Sequence, residues 1–189
     1  MNLMQYEAMH MKKTSLLMFG LVALCAQPAA FAQTDSAQKG LPALIQVATA
    51  NSLVLETKAS GTIEYQCSKE KDPLTTYKWS MVGPKAELTD DGGEKVGDYS
   101  GPPARWAHKD GSFVTGSQVA VSPNGSKNIP LQLVKADVAG GQGALTGVSY
   151  VQRVNTQGGV APAKKCSADN DGEKAEVSYK AEYWFWKTN

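Results

Sequence analysis

Histidine is scarce in this chain, with two in 189 residues, and cysteine numbers only three. Such small stocks exclude most elaborate metal sites and leave little material for imidazole catalysis. An excess of one charge sign is also missing: 19 Lys+Arg face 18 Asp+Glu, a formal net charge of +1. Nothing in that balance points to nucleic acid or an anionic membrane surface as partner. No apolar run is long enough to span a bilayer. Beyond the first thirty or so residues, no stretch shows a sustained helical period with caps. Gly-rich Ala139–Ala144 (AGGQGA) has no helix after it, and Thr146 stands where the last Gly or Ala of a dinucleotide fingerprint belongs. It reads as a loop, and no cofactor or metal is expected.

What is present begins with an address. Lys12 and Lys13 precede the apolar run Leu16 to Ala26, and Ala30-Phe31-Ala32 supplies a small-x-small site. This is the layout of an export signal cleaved near Ala32, with Met11 as an alternative start, so residues 1–32 are set apart from the fold. Leu24 before Cys25 departs from the small residue that a lipoprotein signal needs, so Cys25 is expected to leave with the signal. Loss of Lys12, Lys13 and Glu7 takes the net charge to zero and leaves His108, Arg105 and Arg153 as the notable cations. Cys67 and Cys166 remain, and an even pair in an exported chain reads as a disulfide. Residues 33–42 are polar and unpatterned, a flexible tail ahead of a single domain at 43–189.

In that domain the dominant period is two. Ile63, Tyr65 and Cys67 alternate with Thr62, Glu64 and Gln66, and Tyr77, Trp79 and Met81 alternate with Lys78 and Ser80. Residues 113–121, 129–138, 144–155 and 174–186 are further strand candidates. Asp91-Gly92, Asp110-Gly111, Asn124-Gly125 and Asp171-Gly172 favour tight turns between antiparallel strands. The expected fold is all-β: one antiparallel sandwich or barrel-like domain with hairpin connections and one disulfide.

Candidate chemistry is thin. Trp106, His108 and Asp110 would share one face of a strand, making His108 and Asp110 the candidates for acid–base work in a hydrolase-type enzyme, with Ser112 nearby. The alternative is a turn at Asp110-Gly111 with His108 at a solvated edge. Asp169–Glu173 and Asp90–Glu94 carry clustered acids, but both fit turns better than calcium loops. At the C-terminus, Val177, Tyr179, Ala181, Tyr183 and Phe185 form a core face. The opposite face runs Ser178, Lys180, Glu182 and then Trp184 and Trp186. Those tryptophans are covered by a loop, a second sheet or the N-terminal segment, or else form a platform for sugar, apolar ligand or subunit. Arg153 and Asn155 alternate beside a Gly-Gly loop, where Arg153 would bind a carboxylate or pair with an acid across the sheet.

Several of these pieces resemble one family. Tyr65-Gln66-Cys67, Trp79, Gly101-Pro102, Trp106 with Asp110-Gly111-Ser112, and the stretch Tyr150–Thr156 (YVQRVNT) with Gly158-Gly159, Ala161-Pro162 and Cys166 resemble the secreted bacterial and fungal group known as domain of unknown function 3455. The resemblance implies export, a single compact domain and a Cys67–Cys166 pairing, and it assigns no catalytic residue. A malate dehydrogenase label carried by some fungal relatives finds no support in a chain without a dinucleotide motif or a βαβ pattern. The resulting expectation is an exported, non-catalytic binding or protective module for a small-molecule, glycan or envelope ligand. Trp184, Trp186, Trp106, Arg153 and Asn155 are its candidate contacts. Alternatives are the His108 enzyme and a structural or protein-interaction module.

Overall fold

The computed structural model describes residues 37–71 and 76–189; the expected signal, its cleavage site and the start of the expected tail lie outside the described residues. Eight strands follow in chain order: β1 (Asn51–Lys69), β2 (Tyr77–Thr89), β3 (Lys95–Ser100), β4 (Ala104–His108), β5 (Phe113–Ser122), β6 (Leu131–Gly140), β7 (Val148–Gly158) and β8 (Lys174–Thr188). Each pairs antiparallel with its sequence neighbours, and β1 pairs with β8 from Asn51↔Thr188 to Gln66↔Lys174. The sheet is therefore a closed barrel, which removes the exposed edges that an open sheet leaves.

Local sequence explains much of this order. All four Asp-Gly and Asn-Gly pairs fall between consecutive strands. Along β8, Tyr179, Ala181, Tyr183 and Phe185 are buried while Ser178 and Lys180 are exposed, as the alternation predicts. Two strands were absent from the candidates: β3 (KVGDYS) is short and carries a glycine and an aspartate, and β4 (ARWAH) is only five residues long. β1 was legible only toward its end, since it begins a full twelve residues before its apolar alternation becomes strong. The expected strand at 144–155 starts later, at Val148, because Gly143 and Gly147 adopt positive φ in the preceding turn.

Inside the barrel lies an aromatic stack. Tyr99 packs on Trp106 at 4.9 Å and on Tyr183 at 4.8 Å, and Trp106 meets Phe185 edge-on at 6.4 Å. The disulfide joins Cys67 to Cys166, with Cα atoms 5.5 Å apart, and ties the end of β1 to the β7–β8 loop.

A second apolar layer lies outside the barrel wall. Ile45 and Val47 pack with Leu131, Leu133, Val154 and Trp186. Residues 37–50 thus form a strap over the outer face of β5, β6, β7 and β8. Gln38, in the stretch expected to be a loose tail, is buried and bonded to Val47 in both directions, at 2.9 and 2.6 Å. Beneath the strap, Gln152 donates to Gln38 Oε1 at 2.9 Å and to the Ile45 carbonyl at 2.6 Å. Its own Oε1 accepts from Trp186 Nε1 at 2.8 Å. Every polar group of this buried side chain has a partner, as burial requires.

Candidate functional site

Unequal strand lengths open the barrel on one side. β2 pairs with β3 only over Lys85–Thr89, and β4 pairs with β5 only from Ala104 onward. Beyond the Gly101-Pro102-Pro103 turn the wall has a notch, flanked by Met81–Pro84 of β2 and Gly116–Gln118 of β5. Gly83 lets that turn pack closely, since a Cβ there would sit 2.1 Å from the Gly101 carbonyl oxygen. Behind the notch is a cavity of about 380 Å³, within the range of small-ligand sites. Ile63, Tyr99, Val134 and Tyr179 line its depth, and Met81 and Val82 are exposed at its rim.

Arg153 is the one charged side chain in the lining. From β7 it points inward, and its Nε and Nη2 donate to the Pro130 carbonyl at 3.2 and 3.0 Å. Among the described residues it forms no ion pair, so the expected alternative of an acid across the sheet is not what holds it. The YVQRVNT–GG stretch fixes this arrangement. Thr156 Oγ1 donates to the Ile129 carbonyl at 2.6 Å, and Asn128 Oδ1 accepts from Gly158 N at 2.9 Å, so the β5–β6 loop is clamped to β7. Gly159 has φ +80, and a Cβ there would press on Tyr179, Ile129 and Ile63. Its carbonyl accepts the Tyr65 hydroxyl at 2.7 Å.

Four tyrosines surround the guanidinium closely enough to feel its charge. Burial pushes Tyr179 up to about 12 and Tyr183 well above the ordinary phenol value, with Arg153 pulling the other way. Tyr65 and Tyr99 are raised for the same reason. The Tyr99, Tyr179 and Tyr183 phenols influence one another, yet the Tyr179 and Tyr183 hydroxyls meet no described partner in hydrogen-bonding geometry. The cavity therefore offers one cation, two lining phenols and the paired amides of Gln118 and Gln132 in an otherwise apolar wall.

The other predicted residues lie elsewhere. Asn155 follows Arg153 by two, but it adopts φ 50 at a bulge between Val154 and Gln157 and is turned out to solvent. Trp106 is wholly buried in the barrel, and its Nε1 has no described partner. Trp186 is wholly buried under the strap, which leaves it no open platform face, and Trp184 is half-buried beside it. Sequence reasoning missed Tyr99, Tyr179 and the notch. The available signal was the run of inward-facing tyrosines, whose hydroxyls need partners in a core.

His108, Asp110 and Ser112 do come together, at the β4–β5 hairpin. His108 Nδ1 lies 2.9 Å from Asp110 Oδ2, while Ser112 Oγ donates to Asp110 Oδ1 at 2.6 Å. The carboxylate stands between hydroxyl and imidazole, whereas a nucleophilic triad needs the imidazole between them. Asp110 Oδ2 also accepts from Ala144 N at 2.7 Å, and Ser112 Oγ accepts from Leu145 N at 3.1 Å. These bonds, the Ser112 hydroxyl first, hold the Asp110 carboxyl well below its ordinary value. The trio clasps the β6–β7 loop over the barrel end and buries Leu145. Among the described residues no group of three His, Cys, Asp or Glu side chains could hold a metal ion. No described helix is long and apolar enough to cross a membrane.

A family model described as a protein of unknown function (DUF3455) matches residues 48–187, from the end of the strap to the end of β8. The chain belongs to that family. No curated protein and no solved structure matches it.

Proposed function

We propose that this member of the DUF3455 family is an exported, non-catalytic binding module that takes a small organic ligand through the notch in its barrel wall. The observation that carries this reading is the cavity of about 380 Å³, mostly apolar in its walls and open beside the short β3–β4 hairpin. Eight-stranded barrels have an interior just large enough for side chains or one small ligand. Here part of that interior is left free. The disulfide is compatible with an oxidising space outside the cytoplasm, and the signal-like N-terminus supports the same location. Mass spectrometry of the exported protein should then find Gln33 at its N-terminus.

A neutral fluorophore, N-phenyl-naphthylamine, tests the reading without presuming the ligand's charge. Its emission should rise on adding the protein, and Ala104→Phe, which narrows the cavity from β4, should remove most of that rise. Equal emission with the variant, given an intact fold by circular dichroism, would show that the probe lies elsewhere and defeat the proposal.

A further inference from the structure

Arg153 is held in an unusual way for a lone half-buried cation. The Nε and Nη2 edge of its guanidinium is spent on the Pro130 carbonyl, which fixes the plane of the group. The Nη1 side has no described partner, and the lining around it contains no carboxylate. Tyr179 lines the same cavity with its ring, while its hydroxyl is enclosed beside that of Tyr183. A half-buried cation with an unspent edge in largely apolar surroundings is costly unless an anion satisfies it.

We propose that the cavity selects an organic monocarboxylate, whose head is held by the free edge of Arg153 while its apolar body lies against Ile63, Val134 and the Met81–Pro84 rim. This rests on the binding reading above and names its ligand class. One guanidinium with neutral phenols balances a single negative charge. A dianionic phosphate ester would bring one charge too many into an apolar wall. A planar carboxylate also matches the fork geometry of Arg. At about 30 Å³ per water-sized group, about 380 Å³ admits about a dozen non-hydrogen atoms. Fatty acids of medium chain and arylalkanoic acids fit that limit; longer bodies would protrude past Met81. The lining phenols stay protonated at every physiological pH, so Arg153 keeps the one charge in the cavity.

Calorimetric titration of the protein with octanoate and phenylbutanoate, each against its amide and against octyl phosphate, tests the class. Carboxylates should bind at least about tenfold tighter than their amides and tighter than the phosphate, as a charge-assisted bidentate contact implies. Arg153→Gln should remove that ratio while amide binding persists, and Arg153→Lys, which keeps the charge but not the fork, should keep part of it. Equal affinities for acid and amide, a preference for the phosphate, or an unchanged ratio in Arg153→Gln would each overturn the monocarboxylate assignment while leaving the cavity reading intact. Failure of the neutral fluorophore and of every titrant would overturn both.

Discussion

Gln152→Leu probes the strap by removing three buried hydrogen bonds without changing side-chain volume much. Leucine leaves Trp186 Nε1 and the Ile45 carbonyl without the partners they hold at 2.8 and 2.6 Å. Gln38 Oε1 keeps its bond from Val47 N at 2.6 Å. Two orphaned buried groups at about 1–3 kcal/mol each set a loss of about 2–6 kcal/mol if the strap stays in place. The strap need not stay. Its docking rests chiefly on Ile45 and Val47, each worth about 1.5–3 kcal/mol of burial, less the entropy of ordering the segment. When the orphaned groups cost more than docking gains, residues 37–50 lift off and water satisfies them. The loss in global stability then levels off at the docking energy, which cannot exceed the about 3–6 kcal/mol that burying Ile45 and Val47 supplies.

Trp186 reports which branch is taken, because it is wholly buried only while the strap covers it. Acrylamide quenching should rise and emission shift red in Gln152→Leu before the main urea transition, with Trp186→Phe removing that early signal. Gln152→Glu should release the strap more fully, since its carboxylate would face the Ile45 carbonyl and Gln38 Oε1. A Gln152→Leu protein within about 0.5 kcal/mol of the parent, with quenching unchanged, would refute the view that this network holds the strap.

Three further perturbations test the barrel itself. Replacing Cys67 and Cys166 by serine should cost up to about 4–5 kcal/mol in the chain-entropy account of a loop of this size, read as a lower urea midpoint; an unchanged midpoint would mean the loop is held by other contacts. Tyr179 and Tyr183 ionise later in the fold than in the unfolded chain, so their contribution is complete below about pH 10 and is lost as pH rises above it. Absorbance titration at alkaline pH should show a group of phenols ionising only together with unfolding. Asp110 behaves in the opposite sense: its lowered value gives stability that is present above the ordinary carboxylate range and disappears as pH falls below it. Asp110→Asn should flatten that acid limb and speed hydrogen exchange at Ala144 and Leu145, whose amides the Asp110–Ser112 pair accepts.

The alternation along β8 announced both the core face and the oddity of Trp184 and Trp186, because period-two burial is written residue by residue. Coverage of those tryptophans was legible only as a set of options, since the covering groups lie more than a hundred residues away in the chain. Barrel closure was open for a similar reason: whether β1 meets β8 depends on twist accumulated over every strand. The bulge at Asn155 broke the simple alternation that would have put it beside Arg153. The clasp at Asp110 fitted its turn signal, and its link to the β6–β7 loop required the third dimension.

The location of the cavity follows from what a closed barrel can and cannot cover. Exposed aromatic surface is satisfied by any apolar segment that reaches it, and the strap supplies one from the same chain. A notch above a short hairpin differs, because filling it would need longer β3 and β4 strands, and Gly83 instead lets the Gly101–Pro103 turn settle against β2. Gly83→Val puts branched carbon where the Gly101 carbonyl now lies. The turn must then move outward, at about 1–3 kcal/mol for the overpacking, and the notch must change shape with it. If the cavity is the working site, octanoate and the neutral fluorophore should both lose affinity in Gly83→Val while the Asp110 clasp, at the opposite end of the barrel, keeps its slow exchange at Ala144. Retained affinity for both probes in a folded Gly83→Val protein would separate the cavity from binding and refute the link between hairpin length and function.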